Sequence, residues 1–219
     1  LYFTGGSHTF DNGDRVVHGE QGEVMGPRPG HPDRLEIKFP NNKGNVNCTL
    51  AELSRSPPPP LPGGYKVGEK LYYIGASRTW DDGDRRVHGE QGEVMGPGTG
   101  KSEGRLDVKF PNNEGNVACS LDMLSRSPPP PLPGGYTIGE KLYYTGGSLE
   151  CNFVSDGDRL VHGEQGEVVG PAYIGGEGQL AIKFPPNSSC LPLPLQWLSR
   201  LPPCSAIYNP TVRKVLERA

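Results

Sequence analysis

The chain has 219 residues, 21% of them charged, and a formal net charge of -3, so no global field of one sign draws it to nucleic acid or to an anionic membrane. No apolar run approaches the roughly 20 residues that a membrane-crossing helix needs, and no apolar leader pattern opens the chain; it is expected not to span a membrane, and a place peripheral to a membrane complex fits it. The 32 glycines and 24 prolines would signal low complexity if scattered, but they recur at fixed places and read as the punctuation of a repeat.

Leu1-Tyr2-Phe3 opens inside a motif that is complete later as Gly68-Glu69-Lys70-Leu71-Tyr72-Tyr73, from which a longer parent chain is expected. The string Asp-Arg-x-Val-His-Gly-Glu-Gln-Gly-Glu-Val-x-Gly-Pro then occurs three times, at 14–27, 84–97 and 158–171, with His88 lying 70 residues after His18 and His162 lying 74 after His88. In the second copy Leu71 to Ile74 and Glu93 to Met95 predict two short strands. Leu106, Val108 and Phe110 alternate with Arg105, Asp107 and Lys109, the period of a strand with one face buried and one wet. After the turn Asn112-Asn113-Glu114-Gly115-Asn116, the positions Val117, Cys119 and Leu121 predict the returning arm of a hairpin. Leu35, Ile37 and Phe39 repeat the alternation in the first copy, and Leu180, Ile182 and Phe184 in the third. Four or five short strands with glycine-rich turns and no helical stretch predict an all-β fold, three tandem small β-barrels.

The copies are bounded by Ser-Arg-Ser-Pro-Pro-Pro-Pro-Leu-Pro-Gly-Gly-Tyr at 54–65 and 125–136. The domains expected are a first barrel at 1–56, a proline-rich linker at 57–64, a second barrel at 65–127, a linker at 128–135, a third barrel at 136–201 and a tail at 202–219. In the tail, Asn209 and Pro210 look like a helix start. Val212, Val215 and Leu216 then share one face, a candidate docking helix. The proline runs, with Pro57, Pro60 and Pro62 in the first and Pro128, Pro131 and Pro133 in the second, read as stiff spacers or as polyproline ligands for an aromatic groove.

The string Val-His-Gly-Glu-Gln-Gly-Glu-Val-Met-Gly-Pro, followed by Phe-Pro-Asn-Asn-x-Gly-Asn-Val and by the proline run, resembles a tandem repeat of proteins predicted in unicellular algae, notably haptophytes, where it often accompanies ankyrin repeats. The likeness covers the chain from Leu1 to about Arg200. More distantly, the order of strands and glycine turns resembles the SH3-like barrels of mind-bomb-type repeats, a likeness of fold alone. Both resemblances imply interaction modules rather than catalysis. The first implies an algal, intracellular setting with plastid assemblies among the hosts.

The repeated motif concentrates Asp14, His18 and Glu20, then Asp84, His88 and Glu90, then Asp158, His162 and Glu164. Such a set could serve acid-base chemistry or hold a cation, but one His per copy without a Cys-x-x-Cys or His-x-x-x-His falls short of a zinc pattern. These residues are read as polar loops, candidate surfaces for partner recognition, with no catalytic role, metal or cofactor expected. Cys48 and Cys119 lie nine residues after Phe39 and Phe110, where the third copy has Leu193, which marks a core position. Cys151, Cys190 and Cys204 belong to the third copy alone and leave one disulfide open. The function expected is a non-enzymatic multivalent scaffold or linker whose partners are other proteins, with a peptide reader as the alternative.

Overall fold

The computed structural model describes residues 1–150, 157–172 and 178–203. The candidate docking helix with Val212, Val215 and Leu216, and the cysteines Cys151 and Cys204, lie outside the described residues. What is described is built of short strands and single-turn 3-10 helices, which makes the all-β expectation a finding. No described helix is long and apolar enough to cross a membrane.

The second copy shows the architecture most completely. Strands Lys70–Tyr73, Gln91–Pro97, Leu106–Lys109 and Val117–Cys119 form an antiparallel meander, and Leu124–Ser125 returns to pair with Lys70–Tyr73 at the opposite edge. The third copy repeats this order with Lys141–Tyr144, Gln165–Pro171, Gln179–Lys183, Cys190–Pro194 and Leu198–Ser199. In the first copy Glu23–Pro27, Arg34–Lys38 and Val46–Thr49 form a three-stranded sheet, and Tyr2–Phe3 pairs with Leu53–Ser54.

The closed barrel expected from the strand count is not what forms. Each full ladder ends at edge strands that are not hydrogen-bonded to each other. The physical reason is length: in each full ladder one edge strand has only two residues, Leu124–Ser125 or Leu198–Ser199, which offer too few backbone groups to complete the ring. In the second copy the 3-10 turn Leu121–Met123 carries the chain between the two edges instead.

Each copy has its own core, set by the alternation read from the sequence. Leu71, Tyr73, Val94, Leu106, Val108 and Phe110 are buried together in the second copy, and Leu142, Tyr144, Val168, Leu180, Ile182 and Phe184 in the third. Cys48, Cys119 and Leu193 are buried as the shared core position requires, and burial pushes the thiols of Cys48 and Cys119 up to about 11, away from thiolate reactivity. Gly92 lies within the long strand rather than in a turn. A Cβ there would stand 2.5 Å from Val108 Cγ1 and 2.9 Å from Phe110 Cδ1, so its bare Cα makes room for the aromatic ring.

The described residues divide into two compact units. The first holds Leu1–Ile74 with Arg78–Pro129, and so the first two copies; the second holds Gly75–Ser77 with the described residues from Pro130 onward.

Candidate interaction site

The repeated motif is first of all a frame. Asp14 is buried and its carboxylate accepts from the Lys43 N–H at 2.6 Å through Oδ1 and from the Gly44 N–H at 3.0 Å through Oδ2. Asp84 holds the N–H groups of Glu114 and Gly115 in the same way, and Asp158 those of Ser188 and Ser189. The Lys43 N–H, foremost, holds the Asp14 carboxyl below the usual aspartate value, against the effect of desolvation. For Asp158 desolvation is the largest influence and raises the value, but the bonds from Ser188 and Ser189 outweigh it and the net direction is down.

An asparagine, read in the second copy only as part of a turn, completes each latch. Asn42 Oδ1 accepts from the Arg15 N–H at 2.8 Å while its Nδ2 donates to the Arg15 carbonyl at 2.8 Å. Asn113 grips Arg85, and Asn187 grips Arg159, through the same two bonds. A signal was present: each stands three residues after the core phenylalanine, in Phe-Pro-Asn-Asn or Phe-Pro-Pro-Asn.

The histidines face backbone as well. Nδ1 of His18 lies 3.1 Å from the Thr4 carbonyl, that of His88 3.1 Å from the Ile74 carbonyl, and that of His162 3.0 Å from the Gly146 carbonyl. A carbonyl only accepts, so Nδ1 carries the proton in all three. The backbone N–H groups of His18 and His162 donate to the hydroxyls of Ser7 and Ser148. The carbonyls of Glu20, Glu90 and Glu164 accept from Phe3, Tyr73 and Tyr144, and one carboxylate oxygen of each is buried without a hydrogen-bond partner. Among the described residues no three His, Cys, Asp or Glu side chains are placed to share a metal ion.

The loop that His18 secures also meets a neighbour. Within the first unit the Ser7 N–H donates to the Met95 carbonyl at 2.8 Å, and Asn116 Nδ2 donates to the Ser7 carbonyl at 3.4 Å. A Cβ on Gly96 would stand 3.2 Å from the Gly6 Cα, so the approach is close. The second unit contains the same pairing, with the Ser77 N–H donating to the Val169 carbonyl at 2.6 Å.

The proline runs do not stand clear of the folded copies. Pro57 and Pro60 are exposed, as are Pro128 and Pro131, but Leu61 and Leu132 between the prolines are buried in the second and third cores. Pro62 and Pro133 open 3-10 turns whose glycines Gly63 and Gly134 sit at φ 70, a conformation that suits glycine. Tyr65 follows and packs on the second core. Arg126 then closes over this lead segment, with its Nε 2.6 Å from Glu69 Oε1 and its guanidinium carbon 4.5 Å from the Tyr65 ring centre. Arg200 repeats the clamp on Glu140 and Tyr136.

The position occupied by Val16 and Leu160 in the outer copies is Arg86 in the second, where the guanidinium carbon lies 4.9 Å from the Tyr73 ring centre and 5.4 Å from that of Trp80. No protein-family model matches the sequence, and no curated protein matches it.

Proposed function

We propose that the chain is a non-enzymatic multivalent scaffold or linker, each copy being an SH3-like module and the array holding subunits of a larger protein assembly. One observation carries the reading: the residues repeated most faithfully, the Asp latch and the His, are engaged with the chain's own backbone in all three copies. What the repetition preserves is a shape shown several times on one chain, which is the arrangement that turns weak contacts into avidity. The meander and the 3-10 turn before its last strand support the SH3-like assignment. In its narrower form the assembly is a plastid photosynthetic antenna complex, a reading that rests on the algal resemblance alone.

The test is isolation of the native complex under mild conditions, with identification of the co-purifying chains by mass spectrometry and of their contacts by cross-linking. Cross-links from at least two copies to partner proteins are expected. Recovery of the chain alone, with no stoichiometric protein partner, would overturn the reading.

A further inference from the structure

A proline has no backbone N–H and holds φ at about -65°, and the residue before a proline is driven to extended backbone. Ser56, Pro57, Pro58, Pro59 and Leu61 all precede prolines, so local sterics alone set the first run as a polyproline helix of about three residues per turn. Leu61, at φ -60 and ψ 148, sits in that conformation, and Leu132 repeats it at φ -60 and ψ 147.

Burial follows the same three-residue period. Pro58 and Leu61 face inward: Pro58 is half-buried, its Cγ 3.7 Å from where a Cβ on Gly19 would stand, and Leu61 is seated in the second core. Pro57 and Pro60, on the next face of the helix, are both exposed, and Pro59 is exposed beside them. The second run repeats the arrangement, with Pro129 against Gly89, Leu132 in the third core, and Pro128, Pro130 and Pro131 exposed. In the third copy Pro203 takes the inward place, 3.5 Å from the Cβ position of Gly163. One proline of each run therefore serves the fold, and the others present a ridge to solvent.

The chemistry of that ridge is narrow. It offers pyrrolidine rings and carbonyl oxygens but no N–H, so a strand edge cannot pair with it in a full ladder. Its complement is a groove walled by aromatic rings, with a ring N–H or a hydroxyl to meet the carbonyls. The inward anchors also hold the ridge straight before any encounter, which removes part of the ordering cost that a free peptide bears on binding.

We propose that Pro57–Pro60 and Pro128–Pro131 are two preformed polyproline ligands, each read at the spacing Pro-x-x-Pro by an aromatic-walled groove of a partner protein. The proposal deepens the scaffold reading and rests on it, since it names the kind of partner surface that the repeated array engages.

The full chain, titrated by calorimetry with isolated SH3, WW and EVH1 domains, and a blocked peptide of residues 54–65 titrated alongside, test it. At least one class is expected to saturate the chain at two domains per molecule, more tightly than it binds the peptide. Pro57→Ala with Pro60→Ala should weaken the first site by roughly tenfold or more while the thermal transition of the chain survives, and Pro128→Ala with Pro131→Ala should do the same to the second. No saturation by about 1 mM of any domain, or binding indifferent to these alanines, would overturn the proposal. Binding of the peptide but not of the chain would overturn it as well, because the ridges would then be covered in the folded protein. The scaffold reading fails by a different result, recovery of the native chain without partners. A native complex whose partners touch the chain only away from 54–65 and 125–136 would leave that reading standing and this proposal overturned.

Discussion

Asp14 shows how a residue that reads as a candidate site becomes a structural latch. Its carboxyl value is lowered in the folded chain, so the stabilisation it gives is present above its ordinary value of 3.8 and is lost as the pH falls through the lower folded value. Asp14→Asn should therefore lower the melting temperature at neutral pH and flatten the loss of stability below pH 3.8. Thermal melts at several acid pH values check this; unchanged acid dependence would mean that other groups carry it. Gly92→Ala belongs to the same scale. The added Cβ meets Val108 and Phe110, and such overpacking costs about 1–3 kcal/mol, read as a lower unfolding midpoint. The sequence offered the chemistry of these residues but not their partners, because the Asp latch bonds to backbone N–H groups about 30 positions away and backbone groups carry no residue signature. Asn42 was missed for the same reason, although its spacing from the core phenylalanine was in view.

The strands were the most legible elements, since period-two alternation is a direct image of a half-buried sheet. Phe110 is buried against Tyr73, ring centres 6.0 Å apart, and Phe110→Ala should destabilise the second copy by about 3–5 kcal/mol, checked by denaturant unfolding. Closure of the sheet was not legible, because alternation marks faces and says little about whether two-residue edges find each other. The proline run divides in two when its side chains are placed. Leu61→Ala should cost about 2–5 kcal/mol as a core truncation. Replacing the single exposed Pro57 with Ser should cost only about 0.4–1 kcal/mol, through the freer unfolded chain. Equal losses from the two changes would show that Leu61 is not seated as described. A leucine among prolines reads as part of a ligand or spacer until the core that receives it is known.

At the largest scale, the described residues group into two compact units. The first two copies share one of them, held at the Ser7 loop by a backbone bond to Met95 and by the close approach of Gly6 and Gly96. Gly6→Leu should therefore weaken the joint while leaving both cores intact. Calorimetry is then expected to resolve two unfolding transitions for the first unit, against one expected for the unaltered chain. A single unchanged transition would place the cohesion elsewhere. The repeat itself was plain in the sequence, but the joint was not, because the Ser7 N–H and the Met95 carbonyl that make it are backbone groups common to nearly every residue.

That joint is written mainly in main-chain atoms, and this bears on how such a chain can change over generations. An N–H of a serine meets the carbonyl of Met95 in one case and of Val169 in the other, and the small residue before the serine is Gly6 in one and Ala76 in the other. A contact that asks so little of side chains is inherited whole when a copy is duplicated, with no matched pair of surfaces to evolve first. Copy number, rather than residue identity, becomes the variable most open to change, and lengthening the array by one unit becomes a single genetic event instead of a redesign.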